Sequence, residues 1–245
     1  MRTHQYMRTT MGIAALHPST ALTIVGNDMN RIQNNITVGL AIVVLLTATA
    51  ASAYDSTEAV KQRTGSGDPV AGKSKSQLCQ GCHGEDGNST ETTIPKLAGQ
   101  YSSYISKQLR NYQSGVRTHD IMSAMAATID EADLADIAAY FASQKKMKGD
   151  GTGENPVARS LFFNGDSARN IQSCMSCHGV NGKGIFPGSS TFPVLGGQHR
   201  AYLREQLINW RNGKRANSPN GVMNNIIKPL TDAEIEALAD FMSGR

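Results

Sequence analysis

The chain has 245 residues, 39% of them hydrophobic and 6% aromatic, with a formal net charge of +4. That length suits one large or two small domains. Residues 1–53 hold three arginines and one aspartate, so the rest carries only +2; its basic residues are scattered, which excludes the concentrated basic face that binding a nucleic-acid backbone requires.

In chain order, the first feature is an apolar run from Ile36 to Leu46, broken only by Thr37 and Gly39. Arg31 precedes it and Ala51-Ser52-Ala53 follows. This is the pattern of a secretory signal peptide cleaved after Ala53. The run falls short of the roughly 20 residues that span a membrane comfortably. A start at Met29 would make the signal compact, so residues 1–28 read as an over-extended start. Residues 1–53 are therefore set apart as a leader, and the remainder is expected to be exported.

Next comes Cys79-Gln80-Gly81-Cys82-His83, which returns as Cys174-Met175-Ser176-Cys177-His178. The two strings use every cysteine in the chain. Cys-x-x-Cys-His is the signature of covalent c-type haem attachment, with the cysteine sulfurs adding to the haem vinyl groups and the histidine reaching the iron. Two covalently bound haem c groups are the expected cofactors. A disulfide reading suits an exported chain, but it closes a cramped ring and leaves each histidine unexplained. A zinc site lacks a matching fourth Cys or His in either half.

The halves match beyond these strings. Pro95-Lys96-Leu97-Ala98-Gly99-Gln100 corresponds to Pro193-Val194-Leu195-Gly196-Gly197-Gln198 at an offset of 98, as do Tyr104 with Tyr202, Gln108 with Gln206, and Arg117 with Arg215. Two copies make a duplicated domain, not a solenoid. Tyr104, Ile105, Gln108, Leu109 and Tyr112 fall at helical spacing, as do Tyr202, Leu203, Gln206, Leu207 and Trp210. Gly115 and Gly213 should stop these helices. Final helices are expected from about Glu131 to Gln144 and from about Asp232 to Ser243. Thr231 with Glu234 predicts a capping box, and Asp130 with Asp133 a weaker one. Lys145 to Pro156, charged and Gly-rich, reads as a linker. No segment alternates like a strand. Two small all-α domains result, each around one haem.

His83 and His178 supply one axial nitrogen each, and a thioether opposite would close the iron to outside ligands. The first half offers Met122 and Met125. The last helices begin at Asp130 and Thr231, an offset of 101, at which Met122 falls on Met223 and Met125 on Ile226. Met122 and Met223 are therefore the expected sulfur ligands, with Met125 a packing residue. His119 and His199 are expected at the surface. Pro95 and Pro193 stand in matched positions after each haem string. Their carbonyls can accept the second N–H of the iron-bound histidine, or the prolines serve as rigid turns.

On these residues, nearly all of 54–245 resembles the cytochrome c4 family of tandem di-haem class I cytochromes c. The resemblance rests on Cys-Gln-Gly-Cys-His-Gly-Glu-Asp-Gly-Asn, Pro-Lys-Leu-Ala-Gly-Gln and Cys-Met-Ser-Cys-His-Gly-Val-Asn-Gly-Lys-Gly. It implies cytochrome c domains at 54–148 and 157–245 joined by 149–156. It also implies His–Met ligation by His83 with Met122 and His178 with Met223, with Pro95 and Pro193 accepting from the histidines. The implied function is a non-enzymatic periplasmic electron carrier in a respiratory chain. Its donor would be a cytochrome bc complex or another cytochrome or copper protein, its acceptor a terminal oxidase, with loose membrane association in some members. The alternative is the electron-accepting subunit of a flavoprotein dehydrogenase such as sulfide dehydrogenase. The departures are the long leader and the segment from Arg215 to Val222, which keeps little of the first-half sequence.

Overall fold

A computed structural model describes residues 63–185 and 192–245. The leader and its cleavage position lie outside the described residues. Among the described residues, five named helices make up the first half: α1 (Pro69–Lys75), α2 (Gln77–His83), α3 (Ser102–Gln113), α4 (Asp120–Ala127) and α5 (Glu131–Ser143). Five more make the second: α6 (Pro156–Asn164), α7 (Met175–His178), α8 (Arg200–Arg211), α9 (Val222–Ile227) and α10 (Asp232–Ser243). The fold is all-α; among the described residues the β pairing is an isolated bridge between Asp166 and Ile171.

The expected helices are present, and Gly115 and Gly213 stop α3 and α8 in left-handed backbone at φ +73° and +74°. Thr231 and Glu234 form the reciprocal capping box on α10. Asp130 does not cap with its side chain; the Asp133 N–H bonds to its backbone carbonyl at 2.9 Å. An aspartate at the third helical position is one methylene shorter than the glutamate that closes the α10 box.

Helices α1, α2, α4, α6, α7 and α9 are additions to the sequence reading, and α1 and α6 begin alike. Asp68 accepts the Val70 N–H at 2.8 Å, Asn155 accepts the Ala158 N–H at 3.0 Å, and each is followed by proline in the first turn. Asx-Pro at a helix start was legible: the side chain caps an orphan N–H, and proline loses nothing where no donor is needed. Their brevity hid them, since neither spans enough turns to show a clear period.

In each half the first helix crosses the last. At α1 on α5 the approach is so close that a Cβ on Gly72 would lie 1.9 Å from the Asp136 carbonyl oxygen. The Asp68 N–H donates to Asp136 Oδ1 at 2.8 Å, and Lys75 reaches Asp133 and Asp136 at 2.8 and 2.6 Å. At α6 on α10, Phe162 packs on Phe241 with ring centroids 5.5 Å apart. The cores follow from these crossings. Ile105, Leu109, Leu134, Ile137 and Phe141 are buried together in the first half. Phe162, Leu203, Leu207, Ile235, Leu238 and Phe241 are buried together in the second. Each such side chain contributes about 1.5–3 kcal/mol.

The connecting segment is not a loose tether. Met147 is buried against Tyr101 and Val194. The Ser243 hydroxyl accepts the N–H groups of Asp150 and Gly151 at 3.0 Å each and donates to Asp150 Oδ1 at 2.8 Å. Pro156, expected to end the linker, is the first residue of α6. Glycine and charge mimic a flexible linker in sequence, but here the glycines allow the chain to lie flat against α10.

Candidate functional site

The cysteines sit where a helical turn delivers them. Cys79 and Cys82 lie on α2, and Cys174 and Cys177 at the start and within α7, each helix ending on its histidine. An i, i+3 spacing puts both thiols of a pair on one face. All four are free. Before haem is attached, burial raises the Cys79 thiol and pushes the Cys174 thiol up to about 11.

His83 and His178 are buried at 6% and 5% exposure. Nδ1 of His83 lies 2.8 Å from the Pro95 carbonyl, and Nδ1 of His178 lies 2.9 Å from the Pro193 carbonyl. A carbonyl only accepts, so Nδ1 carries the proton and Nε2 keeps its lone pair. Burial holds both imidazoles below their ordinary pKa, with the carbonyl bond opposing, and so keeps them neutral. A neutral imidazole oriented through Nδ1–H is the form that ligates a metal through Nε2.

Both histidines border one cleft enclosing about 1640 Å³ free of protein atoms, open solvent included. Met122, Met223, Cys174, Cys177, Leu109 and Leu207 are among its lining residues. A second cavity in the first half is bordered by Cys79, Cys82, His83, Met122 and Met125. Met122 and Met223 are partly buried and pack on the cores of their halves. Met125 borders the second cavity and not the shared cleft. The approach to each methionine is tied locally. The Met122 N–H donates to Nδ1 of His119 at 3.3 Å, and the Met223 N–H donates to Ser218 Oγ at 3.2 Å. His119 is exposed, as expected, and caps α4.

His199 corrects the sequence reading: it is 5% exposed, and its Nε2 lies 2.9 Å from the Ser89 carbonyl of the other half. Its repeat partner Tyr101 is likewise buried. Both precede the long helix of their half, where the two halves meet.

That seam is built from the residues that match at the 98 offset. Gln100 accepts the Val194 N–H and donates to the Val194 carbonyl, both at 2.9 Å. Gln198 accepts the Lys96 N–H at 2.9 Å and donates to its carbonyl at 2.8 Å. Arg117 reaches Tyr202 and Gln206 at 3.2 and 2.9 Å, and Arg215 reaches Tyr104 and Gln108 at 2.9 and 3.2 Å. The halves therefore meet by a pseudo-two-fold relation, each offering the same patch to the other. The sequence reading took Tyr104, Gln108, Tyr202 and Gln206 as helix stripe residues and missed this role. The usable signal was polar identity: a core needs only apolar character, so matching Gln, Tyr and Arg pointed to a shared contact.

The residues fit a haem in each half: paired thiols beside a histidine with a free Nε2, an apolar cavity, and a methionine on its wall. Fold and site together define a c-type cytochrome with two covalently bound haem c groups. The Cytochrome c family model matches residues 70–145 and again 164–245. Cytochrome c4 of Pseudomonas aeruginosa is 40% identical over 181 residues, covering 73% of this chain and 89% of that protein. The crystal structure of reduced recombinant cytochrome c4 from Pseudomonas stutzeri is 37% identical with a TM-score of 0.69, covering 73% of this chain and 99% of that one. A thiosulfate dehydrogenase electron acceptor of Stutzerimonas stutzeri is 32% identical over 207 residues, covering 82% of this chain and 91% of that protein. The chain belongs to the cytochrome c4 family, and its role is that of a di-haem electron carrier. Among the described residues no helix is long and apolar enough to cross a membrane.

Proposed function

We propose that His83 with Met122, and His178 with Met223, are the axial ligand pairs, in domains spanning 54–148 and 157–245. The observation that carries this is the paired imidazole–proline bond, at 2.8 and 2.9 Å, beside a repeat-matched methionine in the same cleft. The haem iron, when bound, supplies a one-electron couple. Pro95 and Pro193 hold the imidazole planes and raise their donor strength through Nδ1–H. Met122 and Met223 close the sixth position, so the chain is read as a carrier and not an enzyme. Apolar walls favour the less charged reduced state. Met223→Ala should shift the potential of one haem and abolish its far-red sulfur-to-iron absorption; a redox titration with both haems unchanged would overturn the assignment.

Residues 1–53 support export, which places the carrier in the periplasm, where loose association with the membrane surface is part of the same reading. Its partners are then redox proteins: a cytochrome bc complex or another cytochrome or copper protein as donor, a terminal oxidase as acceptor. A second reading is favoured by the relative named as a thiosulfate dehydrogenase electron acceptor. There the carrier would take electrons from a periplasmic dehydrogenase, in place of the flavoprotein partner the sequence suggested. Size-exclusion of the native protein from periplasm separates the two: a carrier elutes at its own size, a bound acceptor with its catalytic partner.

A further inference from the structure

We propose that Gln100 and Gln198 are positioning residues that reach across the seam, each setting how strongly the axial histidine of the opposite half is held by its proline carbonyl. This rests on the reading of His83 and His178 as iron ligands; the hydrogen-bond relay itself consists of the protein's own atoms.

The relay is continuous on both sides. Nδ1 of His178 donates to the Pro193 carbonyl at 2.9 Å. The N–H of that same peptide group belongs to Val194, and it donates to Gln100 Oε1 at 2.9 Å. In the first half Nδ1 of His83 donates to the Pro95 carbonyl at 2.8 Å. The Lys96 N–H of that peptide donates to Gln198 Oε1 at 2.9 Å. A peptide group is one conjugated unit, so an acceptor on its N–H places more negative charge on its carbonyl oxygen. Hydrogen bonds in series strengthen one another by about 10–30% each. Each glutamine therefore acts on the imidazole two bonds away, in the other half of the protein.

The glutamines are fixed in the orientation this needs. Gln100 Oε1 also accepts the Tyr101 N–H at 3.1 Å, and Gln198 Oε1 the His199 N–H at 3.0 Å. Each Nε2 donates to a carbonyl across the seam, Val194 at 2.9 Å and Lys96 at 2.8 Å. A backbone N–H only donates and a carbonyl only accepts, so the amide oxygen and nitrogen cannot exchange places. Both glutamines are 4% exposed and Val194 is 6% exposed, so loss of the amide leaves a buried N–H unpaired.

The consequence is electronic. A more negative proline carbonyl makes the imidazole a stronger donor to iron, which favours the oxidised state. Each half thus tunes the potential of the haem in the other, and both potentials are tied to an intact seam.

The test is Gln100→Leu in the haem-loaded protein, read in two ways. One is NMR of the Nδ1–H protons of His83 and His178 in the reduced state; the other is redox titration of the two haems. The His178 proton should move upfield, as a weakened hydrogen bond requires, and the potential of the second-half haem should rise. His83 and the first-half haem should not move. Gln198→Leu should give the mirror result, and it serves if Gln100→Leu fails to fold. Gln100→Glu should restore the wild-type values, because a buried carboxyl stays in its neutral acid form and offers the same acceptor and donor. Effects on the mutated half's own haem, equal effects on both, or no effect overturn the proposal. So does a fall in both potentials, the sign of water entering a loosened seam and favouring the more charged oxidised state. A His178 proton that moves with no change in potential refutes the reading of His178 as a ligand. An unmoved proton with the far-red sulfur band retained refutes the relay alone.

Discussion

The Gln198 side chain grips both backbone groups of Lys96, accepting its N–H at 2.9 Å and donating to its carbonyl at 2.8 Å. One side-chain amide thus does what a sheet ladder does elsewhere, between helical halves, and Gln100 does the same for Val194.

Gln198→Leu should loosen the seam. It orphans a partly buried N–H and carbonyl, each costing about 1–3 kcal/mol when unpaired. The expected outcome is faster proteolysis between Lys145 and Asn155, with both haem absorption spectra retained. An unchanged cleavage rate would mean that the seam is held without this residue.

Gly72→Val should destabilise the first half selectively. Its Cβ would fall 1.9 Å from the Asp136 carbonyl oxygen, so α1 must lift from α5. Overpacking of this kind costs about 1–3 kcal/mol or more. Denaturant unfolding should split into two transitions, with the second half's midpoint little changed.

Met122→Leu and Met125→Leu are similar in volume and so in packing cost, below about 1.5 kcal/mol. They should differ in spectrum. Only the first should halve the far-red sulfur-to-iron band. Equal loss from both, or loss from Met125→Leu alone, would reassign the ligand.

Glu234 gives a pH dependence. Arg169 holds its carboxyl at about 2, below the ordinary 4.5, with burial opposing and Thr231 adding to the effect. A depressed folded pKa contributes stability that is present above the ordinary value and lost as pH falls through the folded one. The α10 cap should therefore persist in the wild type until the pH falls toward about 2. In Arg169→Gln, acid unfolding followed by circular dichroism should begin at higher pH.

Much of the site was legible because covalent chemistry is local. Cys79, Cys82 and His83 must sit within one helical turn to hold one haem, so a pentapeptide carries the information, and the repeat at Cys174 doubles it. The long helices were legible because α3, α5, α8 and α10 each bury a full apolar stripe. Helices α1 and α6 were not, since each is short and draws its stability from the partner it crosses.

The sequence by itself determined two haem attachment sites and two all-α halves, and its repeat distance favours Met122 over Met125 as the proposed ligand. Tertiary structure alone decided what the repeated polar residues are for. Gln100, Gln108 and Arg117 find their partners about 90 to 110 residues away, and no local pattern encodes a contact made only when two folded halves meet. The same reason buried His199, which its own neighbours leave at a surface and the opposite half covers.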